Sequence, residues 1–212
     1  MEKILIHPAY FGSIHQFSAI SQAQEIIFEA HDNYQKQTYR TRQYIYGANG
    51  KLLLNIPVKH SGKKEHQKYR DIKIENDFRW QTNHWRSLEA AYRTSPFFEF
   101  YEDEIQPLYE KKFSFLFDFN LECFEVISDC LQLEKELKKA EEFKLNKEIS
   151  QEIIDARNLI EAKKSIPFSQ EKYTQVFEEK FGFLKNLSIL DLLFNEGPNS
   201  LNYLENQPLT FS

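Results

Sequence analysis

The chain has 212 residues, 41% of them hydrophobic, which suits one domain with a substantial core or one domain with a helical appendage. Its net charge of −5 provides no basic field to attract nucleic acid, so we expect no nucleic-acid partner. No apolar run approaches membrane length and no signal peptide precedes the first apolar run, so the sequence predicts a cytoplasmic protein without a membrane span.

The N-terminal residues predict a strand, a helix and a second strand. Residues 3–6 form a short apolar run typical of a buried strand, and Ser13 is placed to cap a helix that ends at about Ala23. The apolar residues 26–28 predict the next strand. A strand, a helix and a strand in this order indicate a βαβ unit, in which ligands gather beyond the carboxyl ends of the parallel strands. We therefore expect the residues that follow both strands to meet at one edge of a sheet.

The segment from His31 to Arg42 follows the second strand and is unusually rich in hydrogen-bonding and cationic side chains. Because Arg and Tyr dominate it, rather than Lys and Glu, it suggests a site for an anion or a sugar-like ligand; the alternative is a solvated, charged connection. If 38–42 were a strand, the two arginines would share a face and converge on one anion. The predicted binding residues of this segment are Asn33, Tyr34, Lys36, Gln37, Arg40 and Arg42.

Histidines provide the candidate catalytic groups. His7 follows the first strand and His31 the second, so the two can face each other across the sheet edge, where either would serve as a general base. Tyr10, in the same loop as His7, and His84, in a later aromatic-rich segment, are predicted to contact the substrate. For each histidine the alternative is a structural role in the core or against loop backbone. Neither metal-ligand spacing nor a glycine-rich nucleotide signature occurs, so we predict no metal site and leave the cofactor unknown.

The middle of the chain predicts a hairpin followed by helices. Asn49 and Gly50 separate two strand-like runs within 43–58, which is a hairpin signal. A basic loop over 59–69 precedes an alternating run, 71–74, that predicts a short strand. Apolar spacing predicts helices over 78–92, after Pro96 and over 113–133. In the last of these helices Cys123 and Cys130 are expected to be reduced thiols.

The C-terminal part begins with a shift in composition at about Glu134. Residues 134–170 are dense in Lys and Glu and predict a charged helical or flexible connection. Core character then returns, and Ser188 with Asp191 three residues later predicts the capping box of a helix that Gly197 ends.

The sequence as a whole predicts an α/β fold with a small, mostly parallel sheet, an inserted hairpin and a predominantly helical C-terminal half. The expected parts are an α/β core domain over 1–133, the connection over 134–170, and a helical segment over 171–212 that packs back on the core.

An ordered series of short motifs resembles the WbqC-like family. The motifs are Ile6–Tyr10, His31–Arg42, Gly47–Lys51 with Ile56–Val58, Trp80–Trp85, Tyr92–Phe98 and Leu187–Pro198. None is diagnostic alone, but the series covers nearly the whole chain apart from roughly 135–170. The resemblance implies a transferase in surface polysaccharide (O-antigen-like) biosynthesis, which would place an amino acid such as glycine, or another acyl group, on an amino sugar.

Under this hypothesis Lys36, Arg40 and Arg42 bind the anionic group of the donor, and His7 or His31 handles a proton. The partner is then an anionic or sugar-linked small molecule, in an oligomeric state that the sequence does not specify. Two alternatives stay open. One is a non-catalytic protein that binds a small molecule or nucleotide sugar in the same pocket, and the other is a structural partner of a membrane-bound assembly that docks through aromatics of 96–119.

Overall fold

The computed structural model describes residues 2–59, 67–163 and 167–209. It contains a four-stranded, fully parallel sheet and a separate two-stranded hairpin, which together with the helices confirm the predicted α/β class. The strands are β1 (Lys3–Ile6), β2 (Glu25–Phe28), β3 (Arg42–Gly47), β4 (Gly50–Asn55), β5 (Glu136–Lys139) and β6 (Ile153–Asp155). The parallel sheet has the order β5-β2-β1-β6.

Several of the helices lie in the C-terminal half of the chain, as predicted. The bounds of the helices are α1 (Ile14–Ser21), α2 (Trp80–Tyr92), α3 (Phe98–Ile105), α4 (Pro107–Glu110), α5 (Leu116–Leu131), α6 (Glu178–Phe181), α7 (Ile189–Glu196) and α8 (Ser200–Glu205). Within the described ranges, none of these helices has the length and apolar character needed to cross a membrane.

The predicted βαβ unit is confirmed. Strands β1 and β2 are parallel neighbours with Ile4 opposite Ile26 and Ile6 opposite Phe28, and α1 connects them. The Ser13 hydroxyl accepts a hydrogen bond of 3.3 Å from the Gln16 amide and so caps α1. Because both strands end at the same edge, the chain leaves β1 and β2 on one side of the sheet.

The hairpin over 43–58 is also confirmed. Strands β3 and β4 are antiparallel, and their last pair is Gly47 with Gly50. Gly50 has a φ of +97°, a conformation that a residue with a Cβ adopts only with strain, so the glycine is required by the turn itself.

The helical or flexible connection predicted for 134–170 is wrong in its local structure, because this segment supplies both outer strands of the parallel sheet. All four residues of β5 are exposed, and Lys138 pairs with Glu25 of the neighbouring strand at 3.2 Å. Charged side chains are normal on an edge strand, where they discourage pairing with other chains, but they hide the apolar pattern of a strand. The division of the chain into three parts stays a prediction.

Two smaller predictions in the loops have different outcomes. In place of a strand over 71–74, a 3₁₀ turn spans Tyr69–Asp71, and Lys73 and Ile74 make only isolated bridges. The basic loop falls largely on 60–66, which lie outside the described residues.

The core joins the C-terminal helices to the sheet. The apolar face of α5 packs on the sheet through Phe124, whose ring meets that of Phe28 edge-on at 4.9 Å. The loop before α7 is tied to the start of α1, since the Ile14 amide donates to the Leu187 carbonyl at 3.0 Å. The capping box predicted at Ser188 is only half correct: Ser188 caps α7, but the Asp191 carboxylate accepts hydrogen bonds from other parts of the core instead.

The Asp191 carboxylate is completely buried and has three donors. These are the hydroxyl of Tyr92 at 2.7 Å, the hydroxyl of Tyr173, and the side-chain amide of Gln175 at 3.1 Å. Burial raises the pKa of Asp191 to about 6, although the three hydrogen bonds oppose that shift. The buried carboxylate therefore links α2, α7 and the segment before α6.

Candidate functional site

A cavity of about 280 Å³ lies where the chain leaves the carboxyl ends of β1, β2 and β6. His7 is the residue after β1, Asp32 follows β2, and Asp155 ends β6. The other lining residues are Gln35, Arg40, Phe143, Asn146, Arg157, Asn158, Ile160 and Glu161. The location agrees with the general position of ligand sites in open parallel sheets. We refer to this space as the sheet-edge cavity.

His7 is buried and makes a hydrogen bond of 3.0 Å between its Nε2 and Asp32 Oδ2. Burial, together with the charge of Arg40, lowers the pKa of His7 to about 4, although Asp32 opposes both effects. The imidazole is therefore neutral near pH 7. Because a carboxylate can only accept, the single proton of the neutral ring lies on Nε2, and Nδ1 carries a lone pair. Nδ1 is buried and has no hydrogen-bonding partner within the described parts of the chain.

Asp32 is the shared partner of two basic groups. Burial alone would raise the pKa of Asp32, but the hydrogen bond from His7 and the charge of Arg40 outweigh it and lower the pKa. An ionised carboxylate bonded to one imidazole nitrogen fixes the tautomer and orientation of the ring, as in acid–base catalytic sites. The pair His7 and Asp32 therefore has the arrangement of a general base and its orienting group.

Arg40 is the largest fully buried side chain of the described residues. Its Nη2 donates to Asp32 Oδ2 at 2.9 Å, and its guanidinium lies 5.0 Å from the centre of the Tyr69 ring. Both Nε and Nη1 are buried, and neither has a hydrogen-bonding partner over 2–59, 67–163 and 167–209. An unsatisfied buried donor costs about 1–3 kcal/mol, so an anion that accepted these two hydrogen bonds would recover that free energy.

Arg157, by contrast, is saturated by protein groups. It donates to both oxygens of Asp155, to Asn146 Oδ1 and to the Lys144 carbonyl. Burial would lower the pKa of Arg157, but the carboxylate of Asp155 outweighs it and raises the pKa. Arg157 thus shapes the wall of the sheet-edge cavity, whereas Arg40 keeps donors for a ligand.

Two of the ten predicted site residues, His7 and Arg40, line the sheet-edge cavity. His31 does not: its Nδ1 lies 3.2 Å from Arg70 Nη1, and its amide donates to Glu29. His7 therefore has Asp32, and not His31, as its partner across the sheet edge. Asn33, Lys36 and Gln37 are exposed, and Tyr34 is half-buried, outside the lining.

The expected convergence of the two arginines is wrong, because β3 begins only at Arg42. Residues 38–41 form a turn in which the Thr41 amide donates to the Thr38 carbonyl. The two arginines consequently share no strand face, and Arg42 is absent from the cavity lining.

Tyr10 and His84 are brought together, but in the core. The Tyr10 hydroxyl lies 2.8 Å from His84 Nδ1 and 3.0 Å from the Tyr109 hydroxyl. Tyr10 is completely buried, and burial lowers the pKa of His84 to about 4. This arrangement is the structural alternative that the sequence left open for His84.

Nine of the eleven described lining residues were not singled out in the sequence, among them the charged residues Asp32, Asp155 and Arg157. Asp32 lay within the polar segment but was not selected, although an Asp beside several basic residues is a natural orienting group. Asp155 and Arg157 directly follow Ile153 and Ile154, which is the same pattern of an apolar strand followed by polar groups that identified His7. The surrounding Lys and Glu residues obscured it. Within the described ranges, no group of three or more His, Cys, Asp or Glu side chains is arranged to hold a metal ion.

Comparisons with known proteins add a family match and one relative. The model of the WbqC-like protein family matches residues 7–170, a range that includes every lining residue of the cavity. The chain is also similar to the uncharacterised protein Rv1507c of Mycobacterium tuberculosis (strain ATCC 25618 / H37Rv). The two are 25% identical over 211 residues, which cover 89% of this chain and 90% of the relative. No solved structure matches the chain.

Proposed function

Because the chain belongs to the WbqC-like protein family, we propose that it is a transferase of surface polysaccharide biosynthesis that places an amino acid or another acyl group on an amino sugar. The observation that carries the proposal is the sheet-edge cavity, where a neutral, oriented imidazole and an arginine with two unpartnered donors lie on the same carboxylate. The arginine suits an anionic group of the substrate, and the imidazole suits removal of a proton.

The proposed reaction uses an acyl donor that is already activated, such as a thioester or an acyl phosphate. The amine of the sugar attacks the acyl carbon, and a C–N bond forms as the bond from carbon to the leaving group breaks. His7 Nδ1 accepts the proton that the amine loses and returns it to the leaving group. Asp32 stabilises the imidazolium that exists between these two proton transfers.

Substrate binding would also correct the low basicity of His7. The positive charge of Arg40 is one cause of the lowered pKa, so an anion bound to Arg40 offsets that charge and raises the pKa of His7 towards neutrality. In this account the base becomes effective only when the anionic group is in place.

A second candidate function is binding of a small molecule or nucleotide sugar without turnover. The observation in its favour is the same pKa of about 4, since so weakly basic an imidazole in the unliganded cavity is poorly matched to general-base catalysis near pH 7. Turnover separates the two functions, because both require binding in the sheet-edge cavity.

The test is an assay of amide formation by mass spectrometry, with a glycyl thioester as donor and a nucleotide-linked amino sugar as acceptor. We expect His7→Gln to lower the rate by about 10²–10⁴ and to leave acceptor binding within a few-fold of the unaltered protein. Lys112→Gln, at an exposed position outside the cavity, is the matched control. Ligand binding without any product would favour the binding function, and loss of the rate in His31→Gln but not in His7→Gln would assign the base to His31.

A further inference from the structure

A second cavity, of about 350 Å³, lies beside the start of α1 and carries a different set of charges. Its described lining residues include three lysines: Lys51 from β4, Lys163, and Lys185 from the segment before α7. None of the three has a carboxylate within 4.0 Å among the described residues, in a chain whose net charge is −5. Among the described residues of the lining, Glu161 is the one carboxylate. We refer to this space as the lysine cavity.

Surface lysines alone do not make a site, but a buried imidazole lines the same space. His15 is 2% exposed, its Nε2 has no hydrogen-bonding partner among the residues that the structure describes, and its ring stacks on Phe168 with 4.2 Å between ring centres. Burial lowers the pKa of His15 to about 4. An unsatisfied polar nitrogen at this depth is costly unless a ligand completes its hydrogen bonding.

The backbone at the start of α1 contributes no free donor to the lysine cavity. The His15 amide donates to Asn186 Oδ1 at 2.9 Å, and the Gln16 amide donates to the hydroxyl of Ser13. At this end of the lysine cavity recognition therefore depends on side chains. Lysine ammonium groups act as point charges, and several of them around one space suit a multiply charged phosphate group better than a single planar carboxylate.

We propose that the lysine cavity binds the diphosphate group of a phosphorylated ligand, held by Lys51, Lys163 and Lys185, with His15 as a hydrogen-bonding partner. The two cavities are neighbours, because Glu161 lines both, and the consecutive residues Tyr39 and Arg40 line one cavity each. A ligand whose diphosphate lies in the lysine cavity can therefore extend towards the sheet-edge cavity. Only this last step rests on the proposed function.

The test uses the full chain with ¹³C-labelled histidine rings, followed by NMR during titration with inorganic pyrophosphate at pH 7. The His15 signal is assigned by its loss in His15→Gln. We expect pyrophosphate to shift the His15 signal in a saturable manner and to leave the signal of His84, which lies in the core and lines neither cavity, in place. The double substitution Lys51→Gln and Lys185→Gln should raise the pyrophosphate concentration at half saturation at least about tenfold.

Lys112→Gln is the matched control and should titrate as the unaltered protein does, since Lys112 is exposed and outside the lining. An unchanged His84 signal in the double variant shows that the fold is intact. A His15 signal that does not move, or that moves equally in the double variant, would overturn the proposal. A shift of the His7 signal alone would assign the anion to the sheet-edge cavity and also overturn it, whatever the outcome of the transfer assay.

Two further titrations separate the sources of a diphosphate. Uridine diphosphate tests a nucleotide, and farnesyl diphosphate tests a lipid-linked group. Tighter binding of either one than of pyrophosphate supports the site and identifies that source. If uridine diphosphate and farnesyl diphosphate both bind more than tenfold more weakly than pyrophosphate, the cavity accepts only the free anion. The proposal that it binds the diphosphate group of a larger ligand is then wrong.

Discussion

Arg40 Nη2 donates a hydrogen bond of 2.9 Å to Asp32 Oδ2, and the same oxygen of Asp32 lies 3.0 Å from His7 Nε2. One carboxylate oxygen thus serves a guanidinium and an imidazole together. The charge of the guanidinium and the protonation of the imidazole are coupled by this contact, and the coupling can be measured.

Removal of the charge at Arg40 should raise the pKa of His7. We expect Arg40→Gln to move the pKa upwards from about 4, because the positive charge disfavours the imidazolium, whereas Arg40→Lys keeps a charge and should leave the pKa nearly unchanged. NMR titration of the His7 ring measures both variants. Arg86→Gln, at an exposed position of α2, is the control. An unchanged or lower pKa in Arg40→Gln would mean that the two groups are not coupled.

Asp32→Asn should weaken His7 as a general base and should also lower the stability of the protein, because Arg40 loses its counter-charge. An amide neither stabilises an imidazolium nor fixes the tautomer of the ring, so we expect the transfer rate to fall by about 10²–10⁴. The buried guanidinium also loses its counter-charge, which should lower the free energy of unfolding by about 1–3 kcal/mol. Steady-state rates and urea unfolding measure the two effects. Full activity in the variant would show that Asp32 does not orient the base.

The stability of the protein should fall as the pH is lowered from 7 to 5. Burial holds the pKa of His7, His15 and His84 at about 4, below the value of 6.5 in the unfolded chain, so only the unfolded state gains these protons between pH 6.5 and 4. Asp191 acts in the opposite sense: its folded pKa of about 6 lies above the unfolded value of 3.8, so its protonation favours the folded state as the pH falls through 6.

Because three histidines act against one carboxylate, we expect the free energy of unfolding to fall by about 2–4 kcal/mol between pH 7 and pH 5. Urea unfolding at a series of pH values measures it. His84→Gln should make the dependence shallower, because one of the three groups no longer titrates. Constant or increasing stability over this interval would show that the histidines are not held neutral by burial.

Asp191→Ala should be strongly destabilising. The substitution leaves the buried hydroxyls of Tyr92 and Tyr173 without their acceptor and opens space in the core, which should cost about 3–5 kcal/mol. Asp103→Ala, at an exposed position of α3, is the matched control and should change the free energy of unfolding by less than about 0.5 kcal/mol. Chemical denaturation measures both. Equal stability of the two variants would mean that the Asp191 cluster does not stabilise the core.

The parts of the fold that local signals specify could be predicted from the sequence. A hydroxyl at Ser13 before an apolar helical run, and Asn49 with Gly50 between two strand-like runs, act over a few residues and gave the correct helix and hairpin. The edge strand β5 could not be found in this way, since its side chains face solvent and its pairing partner, Glu25 to Phe28, is more than a hundred residues away.

The sequence predicted the edge of the sheet at which the candidate site lies, but it did not predict most of the residues that line the site. His7 and Arg40 follow from the rule that ligands lie beyond the carboxyl ends of parallel strands. Asp155 and Arg157 come to the same edge only because β6 pairs with β1, and the surrounding Lys and Glu residues obscure the two apolar residues, Ile153 and Ile154, that mark this three-residue strand. Arg42 was placed there wrongly, because the turn at Thr41 delays the start of β3.

The most direct test of the central claim is the electron density of crystals soaked separately with glycine, phosphate and a nucleotide sugar. The claim is that the sheet-edge cavity binds an anionic substrate between His7 and Arg40. We predict density for a carboxylate or phosphate within hydrogen-bonding distance of Arg40 Nε or Nη1, with a polar atom of the ligand facing His7 Nδ1. Density for these ligands elsewhere, with Arg40 bound only to acidic side chains of the protein, would contradict it.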